Sequence, residues 1–337
     1  LTPSTIIIAI IAFGVLIIFH EFGHFVVAKA VGIKVEEFAI GMGPALYKFH
    51  RGETDYAIRI LPIGGFVRML GEDEQSDDER AFNNQSVLKR IAVIAAGPIM
   101  NFILTLLLLV IITFMVGIAV YLPVVDTVLP DTPAQQAGLQ PGDRFISIEG
   151  KTVESADDAR AIVSANPGKA LDAVIERDGK RLELEITPEY NAETQTAQIG
   201  ITFRGQMQKV SFFKAVGYSF VQVYNMTKMM IVGIGQLLIG QGFDPVMGPY
   251  GIVEIVGQAA SQGVVDLLWL VAIISLNVGL INLVPFPALD GSRIVFLAIE
   301  GIRGKPIDRE KEGMIHFAGL VILMLFMIVV TFHDIMR

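Results

Sequence analysis

"HEFGH", His20 to His24, stands in the middle of "VLIIFHEFGHFVVAKA", Val15–Ala30, an otherwise apolar run. Three ionisable groups at membrane depth are costly and default to function. On a helix, positions i and i+4 share a face, so both imidazoles can reach one Zn²⁺, while Glu21 beside them can take a proton from water. Interhelical hydrogen bonding accounts for one buried histidine but not readily for two with a glutamate between them. The stretch therefore reads as a membrane-spanning helix and, at the same time, as two ligands of a metal site.

Composition supports the membrane reading. Of 337 residues, 53% are apolar and only 18% are charged, below the roughly one quarter usual in soluble domains. Cysteine is absent and the formal charge is −8. Any metal must then rest on His, Asp or Glu, and the acidic balance argues against a nucleic-acid partner. Four apolar stretches reach the length of about 20 residues that crosses a bilayer: Thr5–Val31, Ile91–Leu122, Val264–Val284 and Met314–Phe332. No basic region precedes Thr5–Phe19 and no small-residue cleavage site follows it, so it is read as a span and not as a signal peptide. A fifth stretch, Ser211–Gly240, is interrupted by Lys214, Gln222, Asn225, Lys228 and Gln236, and its apolar residues recur at helical spacing. It is expected to be an amphipathic helix on the membrane surface.

The loops set the orientation. Residues Val31–Arg90 carry 8 Lys or Arg and Ser292–Gly313 carry 5; with four spans both lie on one side, which the positive-inside rule makes the cytoplasm. Both termini then lie outside the cytoplasm. Within the first loop, "IGMGP" at Ile40–Pro44 and "LPIGGF" at Leu61–Phe66 suggest strands punctuated by turns, and the charge run Gly71–Arg80 suggests a solvated loop. Tyr121–Arg204 is soluble in character, with 14 acidic and 8 basic residues. Strands at Arg144–Gly150 and Arg181–Thr187 and a helix near Asp157–Ala165 make it an inserted α/β domain, also outside. Four domains follow: 1–120 with two spans and the strand-bearing loop, 121–205 as the insert, 206–262 as surface helix and connector, and 263–337 with the last two spans.

A catalytic zinc needs a third protein ligand and an open position. Asp290, in "NLVPFPALDGSR", Asn282–Arg293, follows the third span at its cytoplasmic end, at the depth expected for His20 and His24. Alone, "LDG" reads equally well as a turn before a helix. Pro285 and Pro287 forbid regular helix, so the chain before Asp290 is either unwound to line a wet cavity or simply stopped. Unwound backbone there, and the strand Gly64–Arg68, could each hold an extended peptide.

Taken together, His20-Glu21-x-x-His24, "NLVPFPALDG", "GPIMN" at Gly97–Asn101 and "LPIGGFVRMLGE" at Leu61–Glu72 resemble the site-2 protease family of intramembrane zinc metalloproteases, more narrowly the bacterial regulator-of-sigma-E-protease type. The resemblance implies His20, His24 and Asp290 as zinc ligands and Glu21 as general base. It implies substrate contacts from Asn282, Pro285 and Pro287, and a membrane-dipping β-hairpin around Gly64 and Gly65. The implied substrate is a single-pass protein of the bacterial inner membrane, of anti-sigma-factor type, already trimmed by another protease. The implied outcome is regulated intramembrane proteolysis.

"DTPAQQAGLQPGDRFISIEG", Asp131–Gly150, matches the PDZ signature SPAxxAGLxxGDxIxxIxG. Its glycines Gly138 and Gly142 allow a tight turn, and Phe145, Ile146 and Ile148 enter the sheet. Such a domain either binds an extended peptide or filters substrates by size. The resulting fold class is a polytopic α-helical membrane protein of four transmembrane helices, with a membrane-associated β-hairpin and one inserted α/β PDZ domain. A rival from another class, a metal-ion transporter or zinc-dependent membrane scaffold, would use the same histidines without needing Glu21. A transporter, however, usually shows inverted repeats, and none is evident here. His50, His316 and His333 lack metal spacing and are expected at surfaces or interfaces. "GPYGIVEI", Gly248–Ile255, resembles a segment of the family with no evident chemistry.

Overall fold

The computed structural model describes residues 2–72, 74–191, 195–238 and 247–336. Asp73 of the charge run and residues 239 and 240 of the fifth apolar stretch lie outside the described residues. The chain forms two compact units, residues 1–113 with 212–337, and residues 114–211.

Helix α1, Pro3–Ala30, starts at an N-cap Thr2 whose hydroxyl accepts from the Thr5 amide, with proline at its first position. At 28 residues it is about 42 Å long, more than the hydrocarbon thickness of a bilayer. Its buried residues Ala9, Ala12, Leu16, Gly23, His24 and Ala28 form one helical stripe. The chain then enters an antiparallel hairpin, β1 Val35–Arg51 and β2 Thr54–Met69, turning at Gly52 and Glu53. "IGMGP" and "LPIGGF" face each other in it, Ile40 opposite Gly65 and Met42 opposite Leu61, through a series of register shifts. A side chain at Gly41 (φ +88°) would meet the Leu61 carbonyl oxygen at 2.5 Å, so only glycine lets the two strands close at this bulge. At the hairpin base, buried Glu37 pairs with Arg59 and Arg68. Ala28, Ile33, Val35, Met69 and Val93 form the core that joins α1, the hairpin base and the next helix.

That helix, α2, runs Val87–Val116 with Pro98 inside it. It ends six residues before the apolar stretch does. Gly117 takes φ +102°, where an added Cβ would fall 2.4 Å from the Gln208 carbonyl oxygen, and the rest of the run becomes strand. The expected second span to Leu122 is corrected accordingly: apolar content continues because a half-buried strand also needs it.

In the inserted unit, β3 Ile118–Val128, the single-turn α3 Pro133–Gln136, β4 Arg144–Ile148, β5 Lys151–Thr152, α4 Ala156–Ser164, β6 Leu171–Arg177, β7 Lys180–Ile186, β8 Glu189–Asn191, β9 Thr196–Gln198 and β10 Ile201–Gln208 follow in turn. The main sheet has the order β10-β3-β4-β6-β7, with β5 paired to β4. Alternate residues Leu171, Ala173 and Ile175 of β6 are buried with Phe145 and Ile148 of β4 and Ala156, Ala159 and Val163 of α4. Ser155 and Asp158 form a capping box at the start of α4. Buried Asp143 accepts from Arg177 through both oxygens at 2.7 and 2.8 Å and from the Gln140 amide, locking the turn after Gly142.

The first unit resumes with α5 Phe212–Leu238, α6 Pro249–Gln262, α7 Val264–Asn282, α8 Asp290–Arg303 and α9 Arg309–Met336. Among the described residues, α1, α2, α7 and residues Glu310–Asp334 of α9 are long and apolar enough to cross a membrane, and α5 is not among them. Small and hydroxylated residues bring α2 and α7 together: Ser275 donates to the Asn101 carbonyl, Thr105 to the Ala272 carbonyl, and Gly279 lies against Asn101 and the Pro98 carbonyl. Helix α6 rests on α1, where a Cβ at Gly257 would meet Thr5 at 2.4 Å.

Candidate metal centre

The i, i+4 spacing places His20 and His24 on one face of α1, and that face is met by α2. A Cβ at Gly97 would fall 2.3 Å from His24 Nε2 and 2.8 Å from His20 Nε2, and one at Gly23 would fall 2.3 Å from the Ala96 carbonyl oxygen. The two glycines, one on each helix, are therefore what allows α2 to cross directly over the imidazoles. Pro98 has no amide hydrogen and interrupts the helical bonding there. Just before it, the Val93 carbonyl accepts from His24 Nδ1 at 2.8 Å. Asn101 Nδ2 lies 3.1 Å from His20 Nδ1. Its Oδ1 is buried without another partner, and a half-turn of the amide would offer that oxygen to an Nδ1–H instead.

Residues 283–289, between α7 and α8, are non-helical. Short turn bonds run from the Phe286 amide to the Val284 carbonyl and from the Leu289 amide to the Phe286 carbonyl. Gly291 sits on the carbonyls of Leu283 and Val284, where a Cβ would come within 2.3–2.4 Å. Asp290 opens α8, so its carboxylate stands at the positive end of that helix. Its Oδ2 lies 3.1 Å from His20 Nε2 and 3.7 Å from His24 Nε2, and the two imidazole nitrogens are 3.2 Å apart. Bonds of about 2.0–2.2 Å in a tetrahedral arrangement separate neighbouring ligand atoms by roughly 3.4 Å, so the three atoms fit one small divalent ion. Asp290 Oδ2 is buried with no hydrogen-bond donor, as an atom reserved for a cation would be. Among the described residues, this is the one cluster of three His, Cys, Asp or Glu side chains close enough to hold a metal.

Glu21 follows His20 on α1 and lies against the hairpin, where a Cβ at Gly65 would fall 3.3 Å from its Cγ. Gly65 and Glu21 are thus neighbours, while Gly64 (φ +87°) faces the Met42 side chain. Asn282 ends α7, Pro285 is exposed in the linking segment, and Pro287 packs on Gly319 of α9. Sequence reasoning missed the second layer of the centre: Gly97, the Val93 carbonyl and the side-chain role of Asn101. The signal for two of these was "GPIMN", noted only as a resemblance. His316, expected at a surface or interface for want of a metal partner, is half-buried on α9 and accepts from the Ala288 amide.

The profile of peptidase family M50 matches residues 8–326. The chain belongs to peptidase family M50. Among M50 relatives it is 35% identical to the zinc metalloprotease RasP of Geobacillus kaustophilus, covering 100% of this chain and 99% of that one. It is 39% identical to a putative zinc metalloprotease of Clostridium acetobutylicum over 98% and 97% of the two chains. Against the regulator of sigma-W protease RasP of Bacillus subtilis the identity is 34%, over 99% of each chain. The alignments to both RasP proteins run to 416 positions and that to the Clostridium protein to 331. Among solved structures it is similar to the PDZ domain of an SdrC-like protein of Listeria monocytogenes. The identity is 25% over 25% of this chain and 85% of that one, at a TM-score of 0.22, which carries no argument about the insert.

Proposed function

We propose that this M50 chain is a zinc-dependent intramembrane endopeptidase in which His20, His24 and Asp290 hold the metal and Glu21 is the general base. The observation that carries it is the convergence of three ligand atoms within 3.7 Å of one another, two from a helix apolar enough to cross a membrane and the third from the start of α8. When bound, zinc polarises the scissile carbonyl and makes the attacking water acidic near neutral pH. Glu21, beside Gly65 of the hairpin, takes the water's proton and passes it to the departing amine nitrogen. Val93 and Asn101 orient the two imidazoles through their Nδ1 atoms.

A transmembrane helix resists cleavage while its amides are bonded internally, so it must be drawn out. Among the described residues, 65–68 of β2 pair on one side only, with 37–40 of β1, which leaves their other edge to an added strand beside Glu21. The far half of the hairpin exposes Leu46, Tyr47, Ile58, Ile60 and Leu61, a surface suited to acyl chains. Asn282, Pro285 and Pro287 border the substrate from the other side. The substrate is a single-pass protein of anti-sigma-factor type, in line with the sigma-W regulator among the relatives, after trimming by another protease. With four crossings, and the two basic loops on the cytoplasmic side by the positive-inside rule, both termini and the PDZ-like insert lie outside the cytoplasm of a bacterial cell. The transporter or scaffold alternative gives no role to Glu21 and sits poorly with a peptidase family. Glu21→Gln should retain zinc, measured by metal analysis of the purified protein, and lose cleavage of a membrane-anchored model substrate in detergent by at least about 10³-fold. Cleavage at the wild-type rate would remove the assignment.

A further inference from the structure

Helix α9 supplies no candidate metal ligand, yet it grips the segment that carries one. Ala288, two residues before Asp290, has φ +78°, a conformation a non-glycine residue keeps only when its surroundings hold it there. Its amide donates to His316 Nδ1 at 3.0 Å. One turn along α9, Gly319 receives Pro287: a Cβ at 319 would fall 2.4 Å from Pro287 Cβ and 2.5 Å from its carbonyl oxygen. His316 and Gly319 are i and i+3, so they present one face to the Pro287–Ala288 turn. Phe296 of α8 packs edge-on against the His316 ring, with centroids 5.6 Å apart. A cavity of about 1300 Å³ has Asp290, Ala288 and His316 in its wall.

We infer that His316 and Gly319 form a clamp by which α9 sets the Pro287–Ala288 turn and so aims the Asp290 carboxylate at the metal, making His316 a positioning residue of the metal centre. The inference rests on the zinc-site reading proposed above. Losing the acceptor hands the exposed Ala288 amide to water and frees the turn to relax from left-handed backbone, which swings Asp290. Second-layer partners of metal ligands commonly govern metal affinity by 10–100-fold.

The test uses the full-length protein in detergent, following zinc loss to a chelator alongside kcat and KM on a membrane-anchored model substrate. His316→Ala should release zinc about 10-fold faster and lower kcat with KM unchanged. His316→Asn, whose Oδ1 stands where Nδ1 stood, should recover most of both losses, and His316→Gln, whose acceptor lies one bond further out, should not. Gly319→Ala should behave as His316→Ala does. Should His316→Ala fold poorly, the contrast between the Asn and Gln variants decides. Wild-type zinc release in His316→Ala, or equal damage in the Asn and Gln variants, would overturn the clamp. Asp290→Ala separates the two levels: full zinc occupancy in that variant would overturn the metal-site reading, and the clamp with it, whereas zinc loss there with no effect at His316 would overturn the clamp alone.

Discussion

Gly97 shows how tightly a single position can control the centre. It lies on α2, carries no chemistry, and leaves less than van der Waals distance for even a methyl group beside His24 and His20. Gly97→Ala must push either the imidazoles or α2 aside, and neither the backbone crossing at Gly23 nor the packed helix interior yields cheaply. The expected outcome is a protein that still folds but holds zinc at least about 10-fold more weakly, with activity falling in parallel; zinc titration of the purified variant checks it, and wild-type affinity would count against the crossing geometry. His20, His24 and Asp290 could be picked out of the sequence as candidate ligands, and Glu21 as a candidate base, because metal chemistry calls for those residue types and helical spacing brings the two histidines together. Gly97 and Asn101 were visible only as part of a family pattern, since the need for a small residue or an amide arises from another helix's approach.

At the scale of elements, the segment "GPYGIVEI" receives the explanation its sequence withheld. Gly248 and Gly251 lie in and around the first turn of α6, and their amides donate to Asp334 Oδ2 at 2.8 and 3.1 Å. An aspartate near the end of α9 thus caps a helix 83 residues earlier in the chain, with its charge at the positive helix end. A glycine fits best at 248, where a Cβ would crowd Asp334 Oδ2 at 2.9 Å and the Thr331 backbone nitrogen at 3.0 Å. Asp334→Ala should cost about 1 kcal/mol and loosen α6, seen as a lowered melting temperature in detergent and faster proteolysis near residues 247–251. Unchanged protection there would show that α6 does not depend on the cap. A similar logic explains the mistaken end of the second span. Hydropathy cannot separate a helix from a following strand when both are apolar, and the break at Gly117 depends on pairing with β10, some 90 residues away.

For the whole molecule, the orientation proposed from the charged loops can be tested directly because the chain contains no cysteine. Lys151→Cys, in the insert, should react with a membrane-impermeant thiol reagent applied to intact cells stripped of any outer layer, and Asp78→Cys, in the first basic loop, only after permeabilisation. The reverse pattern would invert the topology, and labelling of both would break the four-crossing count. What the sequence by itself determined is what local chemistry encodes: the apolar helices, the presence of an inserted unit, the paired histidines with their glutamate, and the aspartate able to complete them. Each depends on residue type and short-range spacing, which the chain carries without reference to its fold. Only the tertiary structure decided how α2 passes over the imidazoles, which groups orient them, how β2 meets Glu21, and why a histidine on α9 touches the backbone before Asp290. Those are contacts between segments tens to hundreds of residues apart, formed by close packing of helices, and one sequence holds no record of which distant surfaces will meet.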